Sequence, residues 1–379
     1  MRAAGTFVRD LLRGRAGDPD GVDPDVLAGV VRHHRVGPSV DHLLKDAPDA
    51  GAVAHLRAAT RPALLAQVAR QLPLQLDLRL VADALRGSPW AVVKGPAVAA
   101  TVHAGAPREF HDLDVLVSPA AFGDALRALE ARGARAMDPD WAGIRAARAG
   151  EIAVALPHGT FLDLHWHLVN RPARRQRFAV DVDAMLDRTR PATLLGTAAP
   201  VLDATDQLHH LALHACLSGA WRLLWSYDLR LASRDADWAE LAARTASAGT
   251  GLAVAMALSR ARQVLDAPVP GRALRTLSGG SPWRIAGRLA TTLRPPHASP
   301  RPARNGAVVY QCTAASGSAS VLALLGETHR RLRRPAAPGD PEDTGGTGID
   351  LRIPADARTG YLEDVAAQGT DRGGRLSAR

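Results

Sequence analysis

Two carboxylates, Asp112 and Asp114, stand one residue apart at the head of the apolar run "HDLDVLV". Side chains alternate faces along a strand, so this spacing puts both on one side, about 7 Å apart. Like charges so placed repel unless a cation lies between them. A divalent ion is the simplest such cation, because hard ions such as Mg²⁺ take carboxylate oxygens and keep places open for phosphate. The plainer alternative is a strand entering from solvent, with Asp112 in the loop and Asp114 acting as a cap or pairing with an arginine.

Further residues add to the pattern. "TFLDLHW" sets Asp163 in a second apolar strand, and a third carboxylate on a neighbouring strand can complete a site for two ions. His165 shares the face of Asp163 by alternation, where it can orient a carboxylate, touch a base or simply pack. Upstream, "VVKG" ends a strand with Lys94 and Gly95 just before a helix, a turn that aims backbone N–H groups at an anion. Lys94 and Lys45 are the only lysines in a chain whose other basic side chains are arginines. That rarity points to a role specific to an ammonium, with a snorkelling surface lysine as the bland reading. Arg108, four residues before Asp112, is placed to reach a phosphate or is one solvated arginine among many.

The elements that must present these residues can be read from periodicity. Short helices are expected over residues 5 to 48, one with Asp23 as N-cap and Pro24 at its first position. Residues 52 to 87 have helical spacing, punctuated by Pro62 and Pro73. Strands are expected at 90 to 94, in "HDLDVLV", near 134 to 137, at 151 to 156 and at 160 to 166, with helices at 96 to 105 and after a Ser118 N-cap. Together these predict a small α/β or α+β domain from about 88 to 170. From about 203 the spacing is helical again.

The ordered set strand–"KG"–helix–"R…DLDVLV"–helix–"LDLHWHL" resembles the uncharacterised nucleotidyltransferase family of bacteria, within the DNA polymerase β-like superfamily. "VVRHHRVGPSVDHLL" and "DQLHHLALHACLSGAWRLLWSYDLRLASRDADWAEL" resemble that family's N-terminal and C-terminal helical regions, so the likeness covers roughly residues 20 to 270. The resemblance implies an α+β fold, a small mixed β-sheet palm between N-terminal and C-terminal helical regions. It implies Asp112, Asp114 and Asp163 as catalytic metal ligands, with two Mg²⁺ ions. Lys94, Gly95, Arg108 and His165 are then expected around an NTP. Where the wider superfamily has Gly-Ser in its phosphate-holding turn, this chain has Lys-Gly-Pro, so the serine contact is missing. The expected reaction is transfer of an NMP to an unidentified acceptor hydroxyl with release of pyrophosphate. The rival reading is a module that binds a nucleotide or metabolite without turnover.

Other groups carry less. His210 and His214 have the spacing of a zinc pair but lack H-E-x-x-H, so with His209 they read as helical core. Asp228 in "WSYDLRL" either contacts the acceptor or has a structural role, and Trp221, Trp225 and Trp238 read as core. The charge of +9 and pI near 10.7 raise the question of nucleic acid. The arginines are dispersed, however, without a basic stripe of interleaved aromatics, so nucleic acid is not the expected partner. Cys216 and Cys312 fit no metal or disulfide pattern, there is no signal-peptide core, and no run of about 18 apolar residues occurs, so a cytoplasmic, non-membrane protein is expected. The expected division is a helical region 1–87, a palm-like domain 88–200, a helical domain 201–334 and a disordered tail 335–379.

Overall fold

The computed structural model describes residues 2–15, 21–48, 51–298, 304–333 and 355–370. The chain forms two compact units: a helical unit of residues 1–71, 95–111 and 204–324, and a sheet unit of residues 72–94, 112–203 and 325–379. Each is interrupted in sequence, unlike the consecutive segments expected. The class is mixed α+β, with helical stretches before and after the strands.

In the helical unit, Asp23 caps Pro24–His34 by accepting from the N–H groups of Asp25 (2.9 Å) and Val26 (3.1 Å), as its position before Pro24 predicts. The apolar faces of Arg2–Leu12, Pro24–His34 and Gly37–Leu43 close around Phe7, Leu27, Val31 and Leu56, with Leu223 and Leu265 from the later helices. The helix Gly51–Ala84 continues past Pro62 and Pro73, which were expected to punctuate it. Each proline lacks the N–H that would bond the carbonyl four residues earlier, and the unit boundary at Gln71 and Leu72 falls beside Pro73. Gly251–Leu265 is buried on nearly every side, the pattern of a central helix. Its first residue must be glycine, because a Cβ there would lie 2.4 Å from the Leu277 carbonyl oxygen.

The sheet unit holds seven strands: β1 (Trp90–Val92), β2 (Leu113–Val117), β3 (Arg135–Ala136), β4 (Glu151–Ala155), β5 (Phe161–His165), β6 (Arg190–Leu194) and β7 (Thr197–Val201), in the order β3-β4-β5-β2-β1-β7-β6. β2 and β5 are parallel, β1 and β4 run antiparallel to them, and β1 is parallel to β7. One sheet face is a dry core of Leu113, Val115, Val117, Ile152, Val154, Leu162 and Leu164, all at most 3% exposed. The buried carboxylate of Asp77 clamps the β4–β5 turn, accepting from the N–H groups of His158 (3.1 Å) and Thr160 (3.0 Å).

Several expected boundaries shift. β2 starts at Leu113, so Asp112 lies in the bend before it. Ser118 does not cap a helix; its N–H extends the ladder to the Pro89 carbonyl (3.1 Å), and the helix begins only at Phe122. The helix expected to reach residue 105 ends at Thr101. The β6–β7 hairpin was not anticipated, although its two-residue turn carries the glycine such turns need: Leu195 and Gly196 have φ of 49° and 76°.

The tail is the largest correction. Within the stretch expected to be disordered, Ala355–Thr370 is a helix, while 334–354 and 371–379 lie outside the described residues. Tyr361, 2% exposed, packs against Phe122 and Trp141, accepts from the Trp166 indole N–H (3.0 Å) and donates to the Ala149 carbonyl (2.9 Å). One aromatic side chain thus ties the tail to the residue that follows β5. No helix among the described residues is long and apolar enough to cross a membrane. Tyr361→Ala is expected to lower unfolding stability by about 3 kcal/mol and Tyr361→Phe by about 1 kcal/mol, measured by urea denaturation. Unchanged midpoints for both would remove the tail helix from the packed structure.

Candidate functional site

The second sheet face is polar where β4, β5 and β2 lie side by side. Asp114 is the register partner of Asp163 on the parallel neighbour, and His165 is the partner of Glu151. Alternation therefore delivers Asp114, Asp163, His165 and Glu151 to one face, while the apolar residues between them enter the core. The sequence places Asp163 and His165 two apart, and strand pairing brings Asp114 beside them. One ligand atom from each of these three lies within 4.8 Å of the others, the only such group of metal-binding type among the described residues.

The electrostatics of the group are tightly constrained. Asp114 is 3% exposed, and its Oδ1 accepts from Lys94 Nζ at 2.5 Å and His165 Nε2 at 3.1 Å. His165 Nδ1 donates to Glu151 Oε2 at 2.8 Å, and Glu151 in turn accepts from Asn170 Nδ2 at 2.7 Å. Burial alone would raise the Asp114 pKa, but the Lys94 and His165 charges hold it well below the usual carboxylate range. Lys94 is raised above the ordinary lysine value against its own burial, by Asp114. Burial would lower His165 too, yet Glu151 and Asp114 lift it to about 9. Asp163 goes the other way: burial, with Asp114 and Glu151 adding, pushes it to about 6 despite His165 and Lys94.

The hydrogen-bond pattern bears on what can bind. With both ring nitrogens donating to carboxylates, His165 is an imidazolium and presents no lone pair. In this arrangement it is a fixed counter-charge that orients Asp114, one of the roles its position allowed, rather than a ligand. The oxygens of Asp114 and Asp163 form a hard donor set suited to Mg²⁺ or Mn²⁺. A divalent cation there would also relieve the unfavourable charge that Asp163 carries.

The remaining expected residues are placed as follows. Asp112 is half-buried in the bend before β2 and outside the three-residue group. Lys94, expected on phosphate, is on Asp114. Gly95 belongs to the helical unit, where it precedes Pro96–Thr101 with φ 51° and ψ −116°, a conformation that favours glycine. Arg108 is also in the helical unit, and it is not a free phosphate ligand there. It is 7% exposed and donates from Nε (2.9 Å) and Nη2 (2.8 Å) to the two oxygens of Asp228. His103 Nε2 lies 2.7 Å from the same carboxylate, and Gln67 Nε2 donates to the Arg108 carbonyl at 2.8 Å. Burial would raise Asp228, yet Arg108 and His103 hold it at about 2. Asp228 therefore has the structural role. His209 bonds Thr250 (2.7 Å) and His214 packs edge-on against Trp225, as core residues do. Glu151 was missed; it heads an alternating strand, "EIAVA", but only the strand order shows which face its neighbours share.

A sequence model of the family described as "Uncharacterised nucleotidyltransferase" matches residues 20–266. No curated protein is similar enough to the chain to count as a relative.

Two outcomes follow from these placements. Unfolded, Asp163 loses its proton near pH 3.8; folded, near 6. Asp163 therefore withdraws roughly 3 kcal/mol from the metal-free protein as pH rises from about 4 to about 6, and this contribution is not regained above. Asp163→Asn is expected to melt higher than the unsubstituted chain at pH 8 in chelator, with the gap closing at pH 4; a constant gap would contradict the assignment. In the helical unit, Asp228→Leu strands the buried Arg108 guanidinium and is expected to destabilise by about 3–5 kcal/mol. The Arg108→Met/Asp228→Leu pair should recover most of that loss in chemical denaturation.

Proposed function

The chain belongs to the uncharacterised nucleotidyltransferase family, and from that premise we propose that it transfers an NMP from an NTP to an acceptor hydroxyl in a divalent-metal-dependent reaction. The observation that carries this reading is the in-register placement of Asp114 beside Asp163, with their ligand atoms and that of His165 within 4.8 Å of one another. A divalent cation, Mg²⁺ in this reading, held by Asp114 and Asp163 with Asp112 nearby in sequence would neutralise charge on the triphosphate.

The chain's own groups supply the rest. His165, fixed between Glu151 and Asp114, holds the Asp114 carboxylate in one orientation. In the reaction the acceptor oxygen bonds to the α-phosphorus, the bond to pyrophosphate breaks, and the acceptor proton passes to solvent, with Asp163 positioning the acceptor. Arg108 is left out of this assignment because Asp228 engages its guanidinium.

A second reading, nucleotide binding without turnover, has one specific observation in its favour. Asp114 already has a close cationic partner in Lys94, so the carboxylates do not depend on an ion to persist. Incubation with each α-labelled NTP and a pool of hydroxyl acceptors separates the two. Asp114→Ala and Asp163→Ala are each expected to reduce label transfer by on the order of 10²–10³, the range for losing one preorganised electrostatic group. Equal transfer by the Asp112→Ala/Asp114→Ala variant and the unsubstituted protein would refute the metal assignment, and Mg²⁺-dependent NTP binding without pyrophosphate release favours the second reading.

A further inference from the structure

Lys94 was expected on a phosphate and is found on a carboxylate, and the difference has a physical resolution. We propose that Lys94 is the resident cation of the carboxylate site: it neutralises Asp114 while no divalent ion is bound, and it turns to the phosphates of the nucleotide when an ion takes its place. This rests on the metal-dependent reading given above and adds to it an exchange of cations at one oxygen.

Two positive groups converge on Asp114 Oδ1, Lys94 Nζ at 2.5 Å and His165 Nε2 at 3.1 Å. A carboxylate only 3% exposed has almost no water to fall back on, and a buried charge without a partner is strongly destabilising. The metal-free protein therefore needs a cation on Asp114. The two are not equivalent, however. His165 is held from both sides, by Asp114 and by Glu151, whose other contact is Asn170. Its side chain is 7% exposed, against 18% for Lys94. Lys94 carries its ammonium on a flexible four-carbon stem, and a compact ammonium exchanges one anion for another without the geometric demands of a guanidinium. Lys94 is thus the cation that can leave.

A divalent ion and an ammonium cannot share Asp114 without strong repulsion. Lys94 should weaken binding of the bare ion, and a phosphate that offers the ammonium a new partner should restore it. Ion and nucleotide then help each other through one side chain, a coupling that must be reciprocal. It would also keep the site from retaining an ion when no nucleotide is present.

The rarity of lysine makes the exchange directly measurable, since exposed Lys45 is a built-in reference. Brief amine acetylation of the full chain, mapped by peptide mass, is expected to modify Lys94 more slowly than Lys45 in chelator. Adding Mg²⁺ should raise the Lys94 rate several-fold and leave Lys45 unchanged, and inorganic pyrophosphate with Mg²⁺ should lower it again. In parallel, Mn²⁺ binding without nucleotide, followed by electron paramagnetic resonance, should be at least about tenfold tighter in Lys94→Met. Should that variant fail to fold, the acetylation series on the unsubstituted chain decides alone. Mn²⁺ binding that depends on Asp114 and Asp163, with Lys94 reactivity indifferent to Mg²⁺, overturns the exchange and leaves the metal site standing. No Mn²⁺ bound by either the unsubstituted chain or Lys94→Met overturns both.

Discussion

A carboxylate almost removed from water sets the terms for the whole polar face of the sheet. Asp114, at 3% exposure, cannot be left alone. Lys94 answers it from the end of β1, His165 from β5, and Glu151 holds His165 from β4. Four consecutive strands in the sheet order are thereby coupled by charge on one face and by aliphatic packing on the other. The electrostatics constrain the strand order as much as hydrogen bonding does, because a slip of one residue in β5 would bury Asp163 and His165 among the leucines and valines of the core.

The same group explains why a cluster that contains a histidine is not simply a three-ligand centre. Proximity alone would make His165 a ligand. Its two carboxylate partners make it a cation, and the hard oxygens are left to do any coordinating. Acid–base character here follows from the company each group keeps: Asp114 and Asp163, neighbours in register, are driven to opposite sides of the usual carboxylate pKa by a lysine on one and burial of the other.

Much of this was legible in the sequence because strand alternation is a strict two-residue code. Asp163 and His165 were placed on one face from spacing alone, Asp163 was expected on a strand neighbouring that of Asp114, and Lys94 stood out through rarity. What escaped depended on pairing between distant segments. Glu151 looks like any strand-leading acid until β4 is known to lie against β5. Arg108 looks free until Asp228, 120 residues later, is found on its guanidinium. Pro62 and Pro73 carry a strong local signal that the surrounding helix overrides. Residues 355–370 were misread because the tail's composition is dominated by Gly, Pro and Asp, while their helix turns on a few residues such as Tyr361 and Val365 that become buried.

That tail helix also bears on how the protein is made. Trp166 and Tyr361 are separated by 195 residues. At ~5–20 residues per second of synthesis, the indole that follows the site strand waits roughly 10–40 s for the phenol that will cover it. Until then Trp166, Phe122 and Trp141 lack the Tyr361 contacts they make in the folded chain. The helix that carries Tyr361 follows every strand of the sheet in the chain and is made after them.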